Sequence, residues 1–156
     1  LTHSIDEKGN ETFSNNSRTL TVQKLFDEFL IKLDGNLYCS IKNENALNNT
    51  SIKVFYSEKT KNWCVLTSEG NGALIIPSKG SIKISLEKQI NLESVAFYND
   101  RLYIPEDKKL VILEIITKIT KQMECNLITA DSKIFDVNKQ GFFVNTETNI
   151  YNVHQI

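Results

Sequence analysis

The spacing of apolar residues along the chain divides it into segments of different period. Residues 1–18 are polar, with isolated Ile5 and Phe13 and no sustained repeat, and read as a polar arm ahead of a single domain over 19–156. Next, Val22, Leu25, Phe26, Phe29, Leu30 and Leu33 fall at the i, i+3, i+4, i+7 spacing of one helix face. Gln23, Lys24, Asp27, Glu28 and Lys32 take the opposite face. Thr19 or Thr21 can cap the start, and Gly35 can end the run in the left-handed conformation. This spacing predicts a helix packed on a sheet.

From Asn36 to Ile104 the period becomes two. Leu37–Ile41, Ile52–Tyr56, Trp63–Thr67, Ala73–Ile76 and Ile82–Leu86 read as strands, separated by Asn-, Gly- and Lys-rich turns. Pro77 should end its strand, because proline removes a ladder donor. The tightest signal is Asn99-Asp100 between two short apolar runs, since both residue types tolerate the positive φ of a two-residue hairpin turn.

Residues 106–123 read as a second helix entered after Pro105, with Glu106 and Asp107 at its positive end and Lys118 and Lys121 at its negative end. Ile112, Ile115, Ile116, Ile119 and Met123 share its apolar face. Against that stands the run Val111–Ile116, β-branched enough to be a buried strand. The tail returns to strands at Leu127–Thr129, Ile134–Val137, Phe142–Val144 and Ile150–Val153. No internal repeat of fixed period stands out. The expected fold is α+β: a predominantly antiparallel β meander, as a sheet or partly closed barrel, with two covering helices.

Composition narrows the functions. Lys and Arg number 18 against 19 Asp and Glu, so there is no basic footprint for nucleic acid. No apolar run approaches the ~18–20 residues of a membrane-spanning helix. The two histidines, His3 and His154, lie near opposite ends, and no zinc-ligand spacing, phosphate loop, dinucleotide fingerprint or nucleophile elbow is present. The sequence therefore nominates no catalytic residue, metal site or cofactor. Four Asn-x-Ser/Thr patterns, at Asn10, Asn15, Asn48 and Asn49, are expected by chance in a chain with 17 Asn. Leu1 starts the chain and its one methionine is Met123, so a processed or excised piece of a longer product is expected, with a signal or anchor as the candidate lost segment.

Three cysteines leave any single disulfide with one spare thiol. Cys39 and Cys64, on neighbouring expected strands, are the leading pair, and Cys64 with Cys125 is the second. Trp63, Phe97, Tyr98 and Tyr103 are the candidate ligand or partner surface, because period two leaves half of the strand aromatics off the inward face. These features point to a non-enzymatic, extracytoplasmic (periplasmic or secreted) binding domain of a larger protein, acting on a protein partner or a small apolar ligand. The alternative is a cytoplasmic effector, immunity or viral accessory protein. A small hydrolase using scattered carboxylates ranks behind both, and would need two acids facing each other in a cleft.

Overall fold

The computed structural model of the chain describes residues 1–43 and 50–154, all of it strand, turn and loop. The first sheet comprises β1 (Thr2–Ile5), β2 (Glu11–Ser14), β3 (Thr19–Lys24), β4 (Glu28–Leu33) and β5 (Asn36–Lys42). The second holds β6 (Ile52–Tyr56), β7 (Trp63–Thr67), β8 (Asn71–Ile76) and β9 (Gly80–Ser85), and the third holds β10 (Ala96–Tyr98), β11 (Arg101–Glu106), β12 (Lys109–Glu114) and β13 (Ile119–Glu124). β14 (Lys133–Phe135), β15 (Gly141–Asn145) and β16 (Ile150–His154) form the fourth. Within each sheet every strand pairs antiparallel with its sequence neighbour.

This corrects the α+β expectation: there is no helix among the described residues, and the meander is divided into four sheets, none of which closes into a barrel. The first expected helix is the β3–β4 hairpin. Leu20 and Val22 on β3, with Phe29, Ile31 and Leu33 on β4, alternate inward at period two, Leu20 opposite Leu33 and Val22 opposite Ile31. Leu25 and Phe26, which completed the helical stripe, lie in the turn at 40% and 74% exposure. Gly35 does take positive φ, but together with Asp34 (φ 85° and 51°), in the two-residue turn into β5. The second expected helix is the β12–β13 hairpin, with left-handed residues at Lys108 and Lys118 where the chain turns.

Other readings shift less. The Asn99-Asp100 turn is present, with φ of 51° and 62°. β8 stops at Ile76, immediately before Pro77. Residues 127–129 form no strand, and residues 1–18 contain β1 and β2.

The sheets stack in series, and neighbouring sheets share a core, much as successive propeller blades pack. Phe13, Leu20, Phe29 and Ile31 of the first sheet meet Val54, Trp63, Val65 and Ile75 of the second. Cys64, Leu66, Leu74 and Ile84 of the second meet Leu102, Ile104 and Val111 of the third. Tyr103 and Leu110 of the third meet Ile134, Phe142 and Val144 of the fourth. β7 is buried at all five positions because alternate residues feed different cores.

Polar ties add to these cores. The Asp100 carboxylate accepts hydrogen bonds from Thr60 Oγ1 (3.0 Å) and from the buried Asn62 amide (3.0 and 3.2 Å), joining the second sheet to the third. Lys53 Nζ donates to the Leu92 carbonyl at 3.2 Å, and the Ile134 N–H donates to the Ser94 carbonyl at 3.2 Å.

Truncating Trp63 to Ala should lower unfolding free energy by about 3–5 kcal/mol, since the indole is buried between two sheets. Asp100→Ala should cost about 1–3 kcal/mol by leaving Asn62 without its acceptor. Urea unfolding checks both. Far-UV circular dichroism should show a β spectrum without helical minima.

Candidate functional site

The second and third sheets share a core that extends to Ile84 on β9 and to Val111 and Ile115 at β12, and its border faces the last strands, β9 and β13. A cleft of about 520 Å³ opens there. Its floor is aliphatic: Ile84 from β9, Ile104 from β11, and Val111, Leu113 and Ile115 from β12 and the turn after it. The last three line up because residues two apart on a strand share a face, while Leu110 and Ile112 turn to the core shared with the fourth sheet. Thr120 and Gln122 of β13 extend that wall with polar groups.

Charge at the cleft is mostly positive. Lys83, Lys88 and Lys118 line it against one carboxylate, Glu106. Glu106 is committed to ion pairs with Lys88 and, at 3.5 Å, Lys109. Burial pushes the Lys88 ammonium below its ordinary pKa, and nearby Lys109 adds to that. Lys83 and Lys118 have no acidic partner among the described residues. The arrangement can hold an anion beside an apolar group. It does not place two carboxylates face to face for acid–base work, and among the described residues no group of three or more His, Cys, Asp or Glu is gathered to hold a metal.

The four aromatics nominated from the sequence do not meet. Trp63 lies in the core between the first and second sheets, and the tilted Tyr56 ring packs on it at 4.8 Å. Phe97 packs on Phe55 between the second and third sheets, at 5.8 Å. Tyr98 and Tyr103 belong to the core of the third and fourth. Period two assigns them to different layers, with Trp63 and Tyr103 buried and Phe97 and Tyr98 partly exposed.

The disulfide expectation is corrected. All three cysteines are free thiols. Cys39 packs on the core between the first and second sheets, Cys64 points from the other face of β7 into the next core, and Cys125 lies against the third. Burial raises the Cys39 thiol pKa, partly offset by a hydrogen bond with Ser81. Burial raises Cys64 far more, with the Asp100 charge adding to the effect.

A second charged group sits at the start of the chain. The buried Glu11 carboxylate bonds His3 Nε2 at 2.8 Å and Lys24 Nζ at 3.2 Å, and the His3 ring stacks on Phe13 at 4.2 Å. These contacts fasten β1 onto β2. The Asn10 and Asn15 side chains accept backbone hydrogen bonds at turns, from Lys24 and from Ser17 and Arg18. Asn48 and Asn49 lie outside the described residues. No helix among the described residues is long and apolar enough to cross a membrane.

Sequence reasoning missed the cleft because its main wall was read as a helix. The available signal was the unbroken apolar run Leu110–Leu113, which marks a strand buried on both faces. No protein-family model matches this chain, and no curated protein matches it in sequence.

Thiol titration should find three free thiols in denatured, unreduced protein. In native protein Cys64 should resist a thiol reagent that labels Cys125 and Cys39, because it is buried and its thiolate is strongly disfavoured. Fewer than three thiols after denaturation would contradict the layer assignment.

Proposed function

We propose that this chain is a non-enzymatic binding domain that holds an anionic, partly apolar partner in the cleft between β9 and the third sheet. The observation that carries the reading is the pairing of an aliphatic floor with two lysines that lack acidic partners among the described residues. The cleft volume falls within the ~300–1,000 Å³ common for ligand sites. Apolar contact supplies the driving force, and the lysines select a negative group.

Hydrolysis by paired carboxylates finds less support. Among the described residues Glu106 is the one acid lining the cleft, and it is already held by two lysines. The extracytoplasmic setting loses the Cys39–Cys64 bridge as its argument, because the two thiols belong to different layers. The binding reading does not depend on the compartment.

Anilinonaphthalene sulfonate, which joins an anionic group to an apolar ring system, is a direct probe. Its fluorescence should rise saturably with the native protein. Lys118→Glu and Gln122→Glu, both exposed, should each weaken the interaction by about fivefold or more while leaving the circular dichroism spectrum unchanged. Binding that ignores both substitutions would place the dye elsewhere and overturn the assignment.

A further inference from the structure

We infer that the cleft receives its partner as a β-strand: an extended segment of alternating acidic and aliphatic residues that adds to the free edge of β9. This rests on the reading of the cleft as a binding site and adds the chemistry and geometry of the occupant.

The first argument is which part of β9 the cleft touches. Four consecutive residues line it: Lys83, Ile84 and Ser85 at the end of β9, and Leu86 just beyond. Successive side chains on a strand point to opposite faces, so a cavity lying on one face would meet every second residue. Four in a row means that the cleft runs along the strand edge. That edge is open among the described residues, where β9 pairs with β8 alone. Leu86 donates its N–H across the ladder to Gly70, and Ile84 and Ile82 follow it in register opposite Gly72 and Leu74. The intervening Lys83 and Ser85 therefore aim their N–H and C=O groups away from β8, toward a missing neighbour.

The opposite wall fits the side chains of such a strand. Val111, Leu113 and Ile115 recur every second residue, the same period at which an added strand would present aliphatic groups.

Charge chooses the partner. Lys79 and Lys83 flank or occupy β9 and Lys118 stands across the cleft, while Lys88 is already paired with Glu106. Lysines on an open edge repel a second copy of the same edge. An acidic strand meets attraction where another β9 meets repulsion, so the edge is guarded against self-pairing and selective for acidic segments.

The probe is an acetylated, amidated peptide of alternating Glu and Val, followed by heteronuclear NMR of the whole chain. Binding should shift the amide signals of Lys83–Leu86 and slow hydrogen exchange at Lys83 and Ser85 by about tenfold or more. Lys83→Glu with Lys118→Glu should weaken it by about tenfold. Two further peptides leave the protein untouched, one N-methylated at every Glu and one at every Val. Alternate N–H groups of an added strand face β9, so one of these should lose binding and the other keep it. Equal binding by both would overturn strand addition. If decanoate binds the cleft and the peptide does not, the site takes a small anionic amphiphile, and strand addition falls while the binding role stands. If dye, decanoate and peptide all fail to bind, both fall.

Discussion

The fold depends on one constraint: the second and third sheets must be apolar on both faces. A strand alternates its side chains, so a single strand can serve two cores only if every position is apolar or buried. β7 satisfies this with Trp63 and Val65 toward the first sheet and Cys64 and Leu66 toward the third. β11 repeats it, with Leu102 and Ile104 facing back and Tyr103 facing forward. Neighbouring sheets thereby become interdependent, because each core is half owned by each. Stability in such a stack is expected to follow nearest-neighbour terms.

The same constraint explains where the molecule is open. A cleft opens between β9 and β12–β13, lined by Val111, Leu113 and Ile115, which also pack into the core shared with the second sheet. Asp100 with Thr60 and Asn62 holds the two sheets together near their first turns, while Lys88 with Glu106 spans the open side. The cleft therefore borders the core that the two sheets share. Lys83 and Lys118 give that gap a sign.

How far the sequence could be read varied by segment. The hairpin at Asn99-Asp100 was legible because its turn chemistry is local. The 19–35 segment was misread because two short strands joined by an apolar turn reproduce a helical stripe: Val22 and Phe29 are seven apart in either reading. Asp34-Gly35, a strong hairpin dipeptide, is the discriminating signal, because Gly35 alone fits a helix end while the pair at positive φ makes a turn. The site was less legible than the fold. The aromatics and cysteines chosen for it are spread over three layers, some buried and some partly exposed, while the lysines and aliphatics that line the cleft are unremarkable in sequence.

By itself, the sequence determined the strand-and-turn texture over much of the chain, the near-neutral charge and the absence of familiar catalytic motifs. These follow from local propensity, composition and spacing, which need no knowledge of neighbours. Tertiary structure decided that the apolar runs at 19–33 and 109–124 are hairpins, that the meander divides into four stacked sheets, and that the three thiols are kept apart. The physical reason is that each inner face exists only against the next sheet. Which side of β7 or β12 is buried, and where cover runs out to leave a cleft, is set by that stacking.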